Sequence, residues 1–182
     1  MKGIIFNLAE EVVSREHGED VWDAVLADAG VSGSYTSLGS YPDADLMAIV
    51  ASAARLLGID EGAVLRHVAE GAIPLLAVRY PHFFTSHRDA RSFVLTLNDM
   101  IHPEVRKLYP GADVPNFTYQ LHGEDAVTLT YESGRRLCAL AEGFIAGAAS
   151  YYGQQVVVAQ EACMLRGDPA CLLHCEFQRA AG

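Results

Sequence analysis

The spacing of apolar residues along this chain changes at Pro115, and that change limits the folds open to it. Before Pro115 they recur at the three-and-four spacing of helices, and after it they alternate. Asn116 to Leu121 and Ala126 to Tyr131 read as strands around a turn from His122 to Asp125. Gln154 to Ala159 and Cys171 to Phe177 read as a second hairpin about Arg166-Gly167-Asp168-Pro169. Between the hairpins, Arg136 to Tyr151 predicts a helix with Leu137, Leu140, Ala141, Phe144 and Ile145 inward. The expected architecture is α+β: an N-terminal helical part over about 1–112, then an antiparallel sheet with a covering helix, strand-strand-helix-strand-strand, over about 113–182.

The helical part divides at its glycines. Ile5, Leu8, Ala9, Val12 and Val13 predict a first helix stopped at Gly18; Asp20 is placed to cap a second, which closes at Gly30. Leu46 to Leu57 form a third, ended by Gly58, and Asp60 caps a fourth. The run Gly71 to Val78 is apolar nearly all round and is expected to be buried, with Pro74 beginning or bending a helix. Ser86, with an acid at Asp89, predicts a helix starting near His87, whose packed stripe is Ala90, Phe93, Val94, Leu97 and Ile101. His102 falls off that stripe, beside Leu95 and Asn98, and Pro103 puts it at a helix end or kink where a side chain can be aimed.

With 182 residues, 51% of them hydrophobic, the chain can bury a large core as one domain over 1–182. A net charge of −10 and a pI of about 5.0 argue against nucleic acid and anionic membrane surfaces as partners. No apolar run approaches the roughly 18 residues of a spanning helix, and Met1 to Ala9 lacks the pattern of a signal peptide. A cytoplasmic protein with its four cysteines reduced is the expectation.

Along the second strand Val127, Leu129, Tyr131, Ser133 and Arg135 fall on one face. The last three carry a phenol, a hydroxyl and a guanidinium spaced about 7 Å apart. Such a row suits two carboxylates on a flat molecule, the guanidinium fork best of all. With His102 opposite, it makes a clamp for a ligand that is metallic at its centre and anionic at its edge, as haem is. A strand that merely ends in polar residues, and a histidine satisfied at the surface or in the core, are the plainer alternatives.

The opening Met1-Lys2-Gly3-Ile4-Ile5-Phe6, the run His102-Pro103-Glu104-Val105-Arg106-Lys107-Leu108-Tyr109-Pro110, Pro115 and Tyr131-x-Ser133-x-Arg135 resemble the haem nitric oxide/oxygen binding (H-NOX) domain family, bacterial relatives of the haem sensor domain of soluble guanylate cyclase. The resemblance covers essentially the whole chain. It implies a haem b cofactor with His102 as the proximal iron ligand, Tyr131, Ser133 and Arg135 on the propionates, and Ile5 and Pro115 against the porphyrin face. Leu140, Phe144 and Val78 are the further cofactor contacts expected from it. In oxygen-binding members a tyrosine stands where this chain has Leu140, and Phe144 one turn on is also apolar, so selection for NO and CO over O2 is the expectation. The resemblance further implies that NO weakens the bond of His102 to iron and lets its helix shift, and that the signal passes to a separate partner, commonly a histidine kinase or a cyclic-di-GMP enzyme. No output module is expected within these residues, and no catalytic residue is assigned.

Some members of that family hold a structural zinc with cysteines placed as Cys138, Cys163 and Cys171 are, plus a histidine where this chain has Gln160. Cys175 would stand roughly 13 Å from Cys171 on a regular strand, so the fourth ligand is open. Three rivals follow: an O2-binding haem sensor, opposed by Leu140; a peroxidase-like haem enzyme, which would need an acid-base pair that only His82, His87 and Arg88 could offer; and a zinc-bound or redox-responsive thiol protein without haem. His17, His67 and His122 are assigned no chemistry.

Overall fold

A computed structural model describes residues 1–179. Seven helices come first: α1 (Gly3–His17), α2 (Glu19–Ala29), α3 (Asp43–Leu57), α4 (Glu61–Arg79), α5 (Pro81–Thr85), α6 (Ala90–Val94) and α7 (His102–Leu108). Strands β1 (Asn116–His122) and β2 (Ala126–Glu132), helix α8 (Cys138–Tyr151), and strands β3 (Gln154–Ala162) and β4 (Cys171–Arg179) follow. This is the mixed architecture that the change of spacing at Pro115 predicted.

The four strands form one antiparallel sheet in the order β1-β2-β4-β3. Its register aligns Phe117, Tyr131 and Cys171 across three strands, and Leu121, Val127 and Cys175 two levels away. Because side chains alternate, Val127, Leu129, Tyr131, Cys171, Leu173, Cys175 and Phe177 all face inward, where they are buried beneath Ile145, Ala148 and Ala149 of α8. A second core joins Phe6, Trp22, Val25, Ile49, Val50 and Leu65 of α1 to α4 with Ala139 of α8.

Helix α8 is pressed against α4 at backbone distance. A Cβ added at Gly143 would stand 2.2 Å from the Arg66 carbonyl oxygen, and one at Gly147 would stand 2.7 Å from that of Glu70. Pro74 lies inside α4, not at its start, and it removes the N–H that would have bonded the Glu70 carbonyl. That freed carbonyl is the one against which Gly147 packs.

Several local expectations change. The run Gly71–Val78 is helical, but its apolar content does not close around it: Pro74 and Val78, four residues apart, form an exposed stripe, with Val78 83% exposed. The second helix begins at Glu19 with Gly18 before it, so Asp20 sits in its first turn, where acidic side chains favour the helix dipole, and does not cap it. Asp60 does cap α4, accepting from the Ala63 N–H at 2.8 Å. Ser86 ends α5, and the cap of the next helix is Asp89, whose carboxylate accepts from the Ser92 N–H at 2.7 Å in a reciprocal box.

The helix expected from near His87 to an end or kink at His102 stops at Val94, and after a turn at Leu95 and Thr96 the chain is helical again through His102 and Pro103. Just before the histidine it forms a π turn over Leu97–Ile101, where the Ile101 N–H reaches back to the Thr96 carbonyl at 3.1 Å. His102 keeps helical dihedrals, because Pro103 stands in the first turn of α7, where a missing donor costs little.

Candidate functional site

A cavity of about 370 Å³ opens between α1, α4 and α8 on one side and the π turn, α7 and the start of β1 on the other. His102, Tyr131, Ser133 and Arg135 line it, and so do Ile5, Pro115, Leu140 and Phe144. Val78 does not: it points from the outer side of α4 into solvent and cannot touch a ligand held there. The direction of a helical side chain follows from the rotation of its helix, which the apolar run around Val78 does not encode.

His102 is largely buried, and its Nδ1 has no hydrogen-bond partner. Burial pushes its pKa down to about 4, Arg106 adds to the effect, and a backbone hydrogen bond at Pro115 opposes it. The imidazole is therefore neutral at pH 7, the form that ligates metals. The Phe117 ring lies beside it, centroids 5.9 Å apart and planes inclined by 29°. Asn98, on the π turn, fixes that ring: its amide Nδ2 donates to the Phe117 carbonyl, and the Phe117 N–H donates to its Oδ1 at 3.2 Å. Asn98 falls beside His102 by helical spacing, but its grip on β1 links residues 19 apart and leaves no mark in the sequence.

Tyr131, Ser133 and Arg135 share the cavity without sharing a strand. β2 ends at Glu132, and the chain then turns through Arg136, whose φ is 54°. Tyr131 is 2% exposed, and its hydroxyl accepts from the Leu137 N–H at 3.0 Å, which fixes the start of α8. The Ser133 hydroxyl accepts from the Arg135 N–H at 3.3 Å. Arg135 donates from Nε to Asp43 at 2.7 Å and from a terminal nitrogen to the Asp113 carbonyl, so its fork is held at the cavity edge before any ligand arrives.

The opposite wall is apolar. Ile5, Leu8, Leu76, Leu140, Phe144 and Ile145 line it. Tyr80 and Tyr109 also border the cavity, but their hydroxyls bond each other. His82, His87 and Arg88 lie outside the lining; burial lowers the pKa of His87, whose Nε2 stands 3.4 Å from the Thr96 hydroxyl. The acid-base pair a peroxidase would require is thus not among the described residues at the cavity.

The neutral imidazole at one face, its Nδ1 without a partner, and the anchored guanidinium at the edge fit haem. His102 would hold the iron, Tyr131, Ser133 and Arg135 the propionates, and Ile5 and Pro115 would press on the ring.

Away from the cavity, the sulfurs of Cys138, Cys163 and Cys171 lie within 4.8 Å of one another, all buried. Cys163 and Cys138 are 3.7 Å apart. Burial pushes Cys138 up, and Cys171 up to about 12. At Cys163 burial acts the same way but is outweighed by hydrogen bonds, first from the Leu165 backbone and then from the neighbouring thiols, and its pKa falls. Gln160 stands beside Cys138 with its amide nitrogen buried and unpartnered, while Cys175 is buried two levels along β4 and does not join the three.

The comparisons with known proteins agree with this geometry. The Haem-NO-binding family matches residues 2–160. No curated protein is significantly similar. Among solved structures, an H-NOX protein from S. oneidensis in the Fe(II)NO state is 34% identical with a TM-score of 0.91, covering 98% of this chain and 100% of that one. The H-NOX domain from Shewanella oneidensis in the Fe(II)CO state is 34% identical with a TM-score of 0.88, over 98% and 99% of the two chains. The unliganded Fe(II) H-NOX protein from K. algicida shares the fold, with a TM-score of 0.88 at 21% identity over 100% and 99%. A cavity lined by His102, Tyr131, Ser133 and Arg135, in a chain matched over nearly its whole length, therefore has one assignment: this protein belongs to the haem-NO-binding (H-NOX) family.

Proposed function

We propose that this protein is a sensor, not an enzyme, that binds NO and CO at ferrous haem b, excludes O2, and signals to a separate protein through the His102 helix. The observation that supports selectivity most is the wall opposite His102, where Leu140 and Phe144 offer no hydrogen-bond donor. When bound, haem would supply an iron with one position open to a diatomic gas. His102 would hold the metal, and the Arg135 fork would orient the propionates. Leu140 and Phe144 exclude water and withhold the donor that O2 needs. The π turn just before His102 gives the proximal helix a deformable joint, the two-state element that a signal requires.

A histidine kinase or a cyclic-di-GMP enzyme is the partner type proposed, met through a surface carrying a net charge of −10, and the setting proposed is cytoplasmic; no described helix is long and apolar enough to cross a membrane. The three clustered thiols are proposed as a zinc site, with Gln160 beside it in place of a histidine. Metal analysis of protein purified without added zinc tests this, and less than about 0.1 equivalent would sink it.

The gas reading is tested by recording the visible spectrum of the ferrous protein, then under air, CO and NO. New bands with NO and CO and none with air are expected. A stable complex in air would end the claim of selectivity, and no Soret band after haem supplementation would return the protein to the thiol reading.

A further inference from the structure

Helices α1 and α4 run antiparallel along a shared seam. At one end the Arg79 guanidinium meets the Glu11 carboxylate, in the middle Gly71 lies against Val12, and at the other end His67 Nε2 meets Glu16. His17, the last residue of α1, brings a second imidazole to that end. One ligand atom from each of Glu16, His17 and His67 lies within 4.8 Å of the other two, and all three residues are exposed. None of them lines the haem cavity.

We propose that Glu16, His17 and His67 form a second metal site, for a borderline divalent transition ion such as zinc or nickel, which clamps the last turn of α1 to α4. Two imidazoles and one carboxylate make a His2Glu donor set, which leaves further positions to water. Nitrogen donors select zinc, nickel or copper over magnesium and calcium, which prefer oxygen. Metal–ligand bonds of about 2.0–2.1 Å put neighbouring donor atoms on a tetrahedral ion about 3.3 Å apart. The observed spread of up to 4.8 Å closes to that by rotation of side chains, and exposure of 55% for His67 and 41% for Glu16 leaves them free to rotate. The carboxylate is already seated on one imidazole, so ordering of the third donor is most of what the ion requires.

The buried thiols would also take zinc, so the experiment uses nickel, whose unpaired electrons report position. Purified holoprotein in the diamagnetic ferrous-CO form is titrated with Ni2+ and followed by amide NMR, with Mg2+ as a competitor. Saturable broadening at one equivalent, centred on residues 15–18 and 66–68 and unaffected by Mg2+, is the expected result. His67→Gln and His17→Gln should each weaken binding tenfold or more, and Glu16→Gln about threefold. All three residues are exposed, and the spectra of the metal-free variants should superimpose elsewhere on the parent. Broadening centred only on Cys138, Cys163 and Cys171 would overturn the proposal. So would unchanged affinity in either histidine variant, or binding that fails to saturate below millimolar nickel.

Discussion

The two walls of the cavity are built on opposite plans. On the His102 side, polar groups are aimed: an imidazole whose Nδ1 has no partner, an amide gripping the Phe117 backbone, and a helix widened by a π turn to present them. On the Leu140 side nothing is aimed; α8 lies on α4 at backbone contact, and what reaches the cavity is hydrocarbon. The first wall provides direction through hydrogen bonds and distorted backbone, the second exclusion through packing. The proposed site, which would hold one metal and take NO and CO but not O2, needs both.

Four substitutions test that contrast. The largest effect belongs to His102→Ala, which should abolish the histidine-ligated ferrous spectrum, with added imidazole restoring it. An unchanged spectrum would show that the proximal wall holds no metal. Leu140→Tyr places a donor on the packed wall. A hydrogen bond to a charged acceptor contributes about 1.5–3 kcal/mol, so O2 affinity should rise about ten- to hundredfold, read by oxygen titration of the ferrous protein. If O2 binding does not change, exclusion does not depend on the missing donor. Gly143→Ala forces a methyl to within 2.2 Å of the Arg66 carbonyl and should cost about 1–3 kcal/mol in denaturant unfolding while leaving the ferrous spectrum alone. Asn98→Ala strips the Phe117 peptide groups of their partners at a part-buried position. About 1 kcal/mol of stability should go, together with a shifted iron–histidine vibration that Gly143→Ala does not produce.

What could be read from the sequence was whatever depends on near neighbours. The alternation through Val127, Leu129 and Tyr131 located β2 and its inward face, and Asp60 announced the start of α4. The comb at Tyr131, Ser133 and Arg135 was found although its geometry was misjudged: three residues can line one cavity from a turn as well as from a strand. Competing local signals caused the error at Ser86, since Asp89 three residues on is itself a capping residue and answers to Ser92. The π turn was hidden because Ala90, Phe93, Val94, Leu97 and Ile101 also fit an unbroken helix. Groups assembled across the fold, such as Asn98 with Phe117, or His67 with Glu16 and His17, could not be seen from spacing at all.

The π turn has one more consequence. A five-residue backbone ring in the midst of four-residue ones stores a surplus residue between Thr96 and His102. If the segment were wound into regular α-helix with all its residues kept, everything beyond it would swing by about 100° and slide about 1.5 Å relative to the turn at Leu95 and Thr96. The imidazole would sweep away from the cavity and the Phe117 ring would lose its neighbour. The aim of His102 is thus set by a length mismatch written into the helix: removing one residue there would let the segment wind regularly with the imidazole still aimed at the cavity, whereas regular winding with every residue kept would misdirect it.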